Sequence, residues 1–159
     1  MNRYFEKITK EQWDKDTYAT YLIENAYENI SLPQRATQYS AGYDFFSPID
    51  FILSPNQEIK IPTGIKVFTH FDEFLMIVPR SGLGFKYYLR LANTIGIIDH
   101  DYRFAENEGH IWIKVRNEGK IELNIKPQMA IAQGIFQKYF LVDGDDYNGK
   151  QRTGGLGST

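Results

Sequence analysis

Residues 92–103, ANTIGIIDHDYR, bring an amide, two carboxylates, an imidazole, a phenol and a guanidinium close together in the chain. Asp99 and Asp101 flank His100, and an extended backbone would put both carboxylates on one face. A carboxylate beside bound phosphates can activate water as a general base, or hold Mg²⁺ through the ion's own waters. Tyr102 offers a flat ring for a sugar or base, and Asn93 carries a carbonyl and an amide suited to a base edge. The same residues also fit a plain hairpin, with Ile95, Ile97 and Ile98 in the core and the aspartates capping a turn. The stretch alone leaves both readings open.

A second stretch, PRSGLGFK at 79–86, follows the apolar run EFLMIV. Arg80 supplies a fixed fork of donors and Ser81 a hydroxyl, while Gly82 and Gly84 let backbone N–H groups approach a ligand. This combination suits a phosphate, and it equally suits a tight strand-to-turn junction. It lacks the GxxxxGK[ST] pattern of a P-loop. Asp44 in AGYDFF stands in an apolar neighbourhood, where a lone aspartate usually serves a turn. Gln133 interrupts the apolar IAQGIF, so its amide needs a partner, either structural or ligand. His110 and Trp112 share one face of HIWIKV and read as satisfied packing. The tail DGDDYNGKQRTGGLGST has nothing to bury and reads as mobile, yet its glycines would let backbone close on a ligand between Arg152 and the hydroxyls of Ser158 and Thr159.

The elements that must position these groups are mostly strands. From Ser31 onward short β-rich runs recur, broken by Pro, Gly and Asn: YDFFSP, FILSP, QEIKIP, GIKVFTHF, EFLMIVP, YYLRLAN, TIGIID, HIWIKVRN, KIELNI and MAIAQGIFQKYFLV. Period-two alternation in several of them, with no long helix between, predicts an all-β sandwich, jelly roll or barrel. Eleven Phe and eleven Tyr supply large rings for its core and interfaces. Ahead of it, Thr9 followed by Gln12 fits a capping box and predicts a short helix over about 10–18, with 26 as its outer limit, packed on the body. At 159 residues one domain is expected. There are no cysteines, which excludes disulfides and thiolate chemistry, and the three histidines are too scattered to predict a zinc cluster. The start MNRYFEKITKEQW has no apolar run after its charges and no segment reaches spanning length, so a cytoplasmic protein without membrane contact is expected. A net charge of −2 argues against a dedicated nucleic-acid binder.

In order and rough spacing, AGYDFF, PRSGLGFK, ANTIGIIDHDYR, IAQGIF and RTGGLGST resemble the five motifs of the trimeric dUTPase family. With the lead-in LPQRATQYSAGYD, the resemblance covers about residues 27–159. It implies an all-β, β-clip or jelly-roll-like fold with the short N-terminal helix added, assembled as a homotrimer with active sites shared between chains. The implied layout is an N-terminal extension at 1–26, a β domain at 27–143 and a flexible arm at 144–159 closing over the site. The implied reaction is hydrolysis of dUTP to dUMP and pyrophosphate, with Mg²⁺ held mainly by the substrate phosphates.

Carried over by position, Asp99 resembles the carboxylate that activates the water attacking the α-phosphorus. Tyr102 resembles the ring under the deoxyribose, whose bulk excludes a 2′-hydroxyl. Asn93, with backbone groups of the 94–98 hairpin including Gly96 and Ile98, is similar to the uracil reader that rejects thymine's methyl group. Ser81, Gly82, Arg80 and Gln133 resemble the phosphate contacts. Asp44 resembles an acid in the metal-water network, and Asp101 reads as support for the hairpin. Arg152, Leu156, Gly157, Ser158 and Thr159 resemble the arm that closes over base and γ-phosphate from another subunit.

Five features depart from the family pattern: the tail has one residue fewer between Arg152 and its paired glycines, Leu156 stands where a phenylalanine is commoner, FAENE intervenes at 104–108, the linker DGDDYNGKQ is unusual, and the N-terminal helix is added. They resemble forms from phages and low-GC Gram-positive bacteria, and the extra loop and helix would suit a regulatory protein partner. The related dCTP deaminases carry a catalytic glutamate in a strand where this chain has Lys114, which disfavours deamination.

Overall fold

A computed structural model of the chain describes residues 2–18, 26–149 and 152–155. In chain order its elements are strand β1 (Tyr4–Lys7), helix α1 (Lys10–Thr17), and strands β2 (Gln34–Arg35), β3 (Tyr43–Phe46), β4 (Phe51–Leu53), β5 (Glu58–Pro62), β6 (Ile65–Phe68) and β7 (Glu73–Pro79). Helix α2 (Ser81–Tyr87) follows, then β8 (Leu89–Leu91), β9 (Gly96–Ile98), a 3-10 helix (His100–Phe104), β10 (Trp112–Asn117), β11 (Leu123–Ile125) and β12 (Ala130–Lys138). Each of the ten β-rich runs read from the sequence contains a strand. Strands β1 and β2 and helix α2 were not among the expected elements.

The strands form a five-stranded sheet in the order β2-β3-β12-β7-β9, a three-stranded sheet β5-β10-β8, and the pairs β1-β6 and β11-β4. Alternation does the sorting. Along β7, Leu75 and Ile77 are buried while the residues between them are half-exposed, and along β10 Ile113, Val115 and Asn117 point inward. Phe45, Ile61, Leu75, Ile111 and Ala132 are fully enclosed. Full burial of such a side chain contributes about 1.5–3 kcal/mol before the entropy of ordering it is counted. Buried Glu73, at the start of β7, is compensated by a two-pronged contact from Arg3, at 2.6 and 2.5 Å. That guanidinium holds its carboxyl below the usual range. Among the described residues no helix is long and apolar enough to cross a membrane.

Helix α1 matches its expected start and position; residues 19–25, over which it was allowed to extend, lie outside the described residues. Its cap differs from the predicted box. Thr9 Oγ1 accepts from the Gln12 amide at 3.1 Å, as expected. Gln12's own side chain turns to Asp16 instead, and the Thr9 amide is taken by the Glu108 carboxylate, 99 positions away. A tertiary contact has replaced the local half of the motif.

At its other end α1 meets His110, which is completely buried. Its Nε2 accepts from the Gly64 amide at 2.9 Å, so Nδ1 carries the proton and donates to Asp16 at 2.6 Å. The packing reading of His110 thus holds. Burial pushes this imidazole below its ordinary value, against the upward pull of Asp16. The folded chain therefore keeps His110 neutral, whereas the unfolded chain takes up a proton below about pH 6.5. Its contribution is fully present above that value and is lost as pH falls towards the lower folded-state pKa. Thermal melts should show Tm dropping from pH 7 to 5.5, with a shallower drop for His110→Gln; parallel curves would contradict this assignment.

Candidate nucleotide-binding site

Strand β8 pairs with β10, whereas β9 pairs with β7, so the chain changes sheets across residues 92–95. The expected hairpin at 94–98 is therefore a crossing between two sheets, because each strand finds its ladder on the far side. The turn is tight: the Thr94 amide donates to Leu91 O at 3.1 Å and the Ile95 amide to Asn93 O at 2.7 Å. Thr94 takes φ 66°, costly for a β-branched residue and typical of a backbone held for function. Where the sheets part, a cleft of about 610 Å³ opens, lined by Asn93, Gly96, Ile98, Trp112, Lys114 and Arg152. Its walls are mainly apolar with a few polar groups, the usual make-up of a small-molecule site.

Trp112 was read as packing and proves to be a wall of this cleft. Alternation places it on the His110 face, but only the fold shows what that face meets. Its ring lies 4.8 Å from the His110 ring, and the Lys60 ammonium sits 4.2 Å from its centroid.

Beyond β9 the backbone stays extended through Asp99 and then winds into the 3-10 helix. The aspartates do converge, through that turn rather than through strand alternation. Both grip one guanidinium: Arg152 donates from Nη2 to Asp99 at 2.6 Å and from Nε to Asp101 at 2.9 Å. Asp101 thus shares Arg152 with Asp99 instead of supporting a hairpin. The Asp99 side chain remains 49% exposed to solvent. Tyr102 is 6% exposed, and its hydroxyl donates to His110 O at 2.8 Å while accepting from Asn107 at 3.0 Å. Burial raises this phenol's pKa above its usual value. Its ring borders a smaller recess of about 70 Å³ with Asp99, Trp112 and Arg152. The tail crosses here: Arg152 stands 5.9 Å from the Tyr102 centroid, and a Cβ at Gly155 would overlap the ring. Leu156, Gly157, Ser158 and Thr159 lie outside the described residues.

The other predicted residues gather elsewhere. PRSGLGFK is neither a loop nor a bare turn: Arg80 caps α2 with extended backbone, and Ser81, Gly82 and Gly84 lie inside that helix. Gly84 is buried within it, while the Cβ position of Gly82 faces open space. A cleft of about 480 Å³ forms beside it, lined by Arg80, Ser81, Gly84, Phe85 and Arg90 among others. Two arginines and a hydroxyl suit an anion, and Arg90 was not anticipated. Arg80 lies 3.3 Å from Asp44. Asp44 and Gln133 sit opposite each other in the β3–β12 ladder. The Gln133 amide donates to Pro79 O at 3.3 Å, a structural partner for one of its two N–H bonds.

Strand β7 joins and separates the two clefts. Ile98 is in register with Leu75, so Asp99 leaves the sheet beside Phe74, while Arg80 follows the strand's far end. Six residues of strand put roughly 20 Å between them. In one chain Asp99 and Ser81 do not meet.

His70, Asp72 and Glu73 place potential ligand atoms within 4.8 Å of one another, a grouping that FTHFDEF held in plain view. Both Glu73 oxygens are engaged by Arg3, and Asp72 takes Lys138 at 3.0 Å. These committed carboxylates fit a hydrated Mg²⁺ poorly.

A dUTPase family model matches residues 28–159. The deoxyuridine 5'-triphosphate nucleotidohydrolase of Lactococcus lactis subsp. lactis (strain IL1403) is 38% identical over 143 residues, covering 87% of this chain and 95% of that relative. The crystal structure of dUTPase from Streptococcus mutans aligns with a TM-score of 0.70 at 32% identity, over 89% of this chain and 99% of that one. At 16% identity, the dUTPase from phage phi11 of S. aureus shares the fold, with a TM-score of 0.68 over 95% of this chain and 99% of its own. With matches across nearly its whole length, the chain belongs to the dUTPase family.

Proposed function

We infer that the protein hydrolyses dUTP to dUMP and pyrophosphate. The carrying observation is the family match over 28–159, in a chain whose larger cleft holds Asn93 and whose smaller recess, sharing Ile98, Trp112 and Arg152 with it, holds Asp99 and Tyr102. Uracil enters the larger cleft, where the Asn93 amide and the backbone at Gly96 and Ile98 read its edge. The Tyr102 ring lies under the deoxyribose. Asp99 takes a proton from the water that attacks the α-phosphorus; the bond to the bridging oxygen breaks, and pyrophosphate leaves.

Ser81, Gly82, Arg80 and Gln133 serve the phosphates. Their distance from Asp99 within one chain supports a homotrimer of the jelly-roll-like family fold, in which neighbouring chains complete each site. Arg152 now occupies Asp99 and competes with water for its lone pairs. When substrate binds, Arg152 moves to the γ-phosphate and the rest of the arm, Leu156 to Thr159, closes over base and phosphates, excluding bulk water.

Mg²⁺, held mainly by the substrate's own phosphates, would supply positive charge against the charge that develops at phosphorus. Asp44, an oxygen donor beside Arg80, fits an acceptor for the ion's waters. Lys114 pairs with Glu58, so the position of a deaminase glutamate holds a cation with its own partner. A cytoplasmic location suits a chain acting on free nucleotides.

Incubating the protein with each dNTP and Mg²⁺ should release pyrophosphate from dUTP alone; equal release from dCTP or dTTP would contradict the assignment. In a second measurement, Asp99→Asn should lower kcat by roughly 10²–10⁴-fold, the usual worth of a positioned general base. Calorimetry should show that this variant still binds a non-hydrolysable dUTP analogue. Undiminished turnover would remove Asp99 from the role of base.

A further inference from the structure

Two features that the motif spacing leaves unassigned, the segment FAENE at 104–108 and the N-terminal helix, meet at one place. We infer that they form a single brace whose purpose is to hold the Tyr102 ring, with Asn107 as the positioning residue. The inference rests on the reading of Tyr102 as the sugar contact.

The segment is a chain of turns. The Ala105 amide donates to Tyr102 O at 3.0 Å, Glu108 to Ala105 O at 2.9 Å and His110 to Asn107 O at 3.0 Å. It ends in a left-handed pair, Glu108 at φ 57° and Gly109 at φ 74°, which folds the backbone onto Arg103. A Cβ at Gly109 would stand 2.7 Å from Arg103 Cα, so this reversal requires glycine. The turns aim Asn107 at the phenol. Its Nδ2 donates to Tyr102 Oη at 3.0 Å and to His110 O at 3.3 Å, while its Oδ1 accepts from the Gly109 amide at 3.2 Å. Tyr102 Oη already donates to His110 O. One such bond satisfies a buried phenol. The second closes a ring of bonds that fixes where the aromatic face points.

Helix α1 fastens this segment from outside at both of its ends. At its start, Glu108 accepts from the Thr9 amide at 3.1 Å and from its hydroxyl at 2.5 Å, and it also takes Lys66 at 3.3 Å. At its last turn, Asp16 accepts from His110 Nδ1. The helix thus anchors residues 108 and 110, on either side of the Gly109 reversal that closes the segment holding the phenol. On the opposite side the Glu106 amide donates to Thr153 O at 3.1 Å, so the brace also touches the tail that crosses Tyr102.

A double-mutant cycle on the full-length protein tests this, reading the ratio of kcat/KM for dUTP to that for UTP. Asn107→Ala should lower the ratio about fivefold, the scale of one lost hydrogen bond. In a Tyr102→Phe background the same change should alter it less than twofold, because the hydroxyl through which Asn107 acts is absent. Asn107→Asp keeps the acceptor for Gly109 and carries the comparison if the alanine variant misfolds. An unchanged ratio, or equal losses in both backgrounds, would overturn the inference. The ¹³Cζ resonance of Tyr102 gives an activity-free reading and should move in either Asn107 variant. If the unmodified protein does not favour dUTP over UTP, the sugar-contact reading fails by itself. An unmoved resonance then overturns the brace separately.

Discussion

The length of strand β7 is the constraint on which the site depends. Its ladder with β9 delivers Asp99 near Phe74, and its far end delivers Arg80 and Ser81 to the start of α2. Roughly 20 Å of extended backbone separates the two groups, and no side-chain rotation closes that gap. The end near Asp99 carries the cleft, the carboxylates and the phenol. The end near Arg80 carries guanidinium groups, a hydroxyl and helix amides. The first set suits a base and sugar and the second an anion, and hydrolysis of a nucleoside triphosphate needs both at one phosphorus. Supplying each half from a different chain meets that need without bending the strand.

Charge governs the acid end. Asp99 and Asp101 sit two positions apart on a tight turn, and Arg152 spans them both. That arrangement neutralises two like charges and also occupies the carboxylate proposed as the base. A triphosphate, with more negative charge than two aspartates, is the natural competitor for the same guanidinium. In the proposed reaction, the contact to the aspartates and the contact to the γ-phosphate are two placements of one arginine.

The strands were legible because their alternation is a local signal that the fold obeyed, and the motif stretches were legible from residue type and order. What stayed hidden depended on distant partners. PRSGLGFK reads as a loop because glycine is a poor helix former, yet it forms α2 once Arg80 and the end of β7 set its start. The Thr9–Gln12 box predicted a helix in the right place, but Glu108 took the Thr9 amide. Asp101 looked like hairpin support because its partner lies 51 positions away. FAENE was unreadable for a related reason: alongside its local contacts to Tyr102 and His110, its anchors run to Thr9, Lys66 and Thr153, none of them nearby in sequence.

Subunit complementation tests most directly whether two chains build each site. Asp99→Asn and Ser81→Ala chains, each impaired alone, can be unfolded together and refolded as mixed oligomers. If Asp99 and Ser81 of a working site belong to neighbouring chains, random assortment into trimers restores one intact site in every mixed trimer, about a quarter of unmodified turnover. If each chain carries its own complete site, the mixture stays at the average of the two impaired proteins, and the shared-site account is wrong.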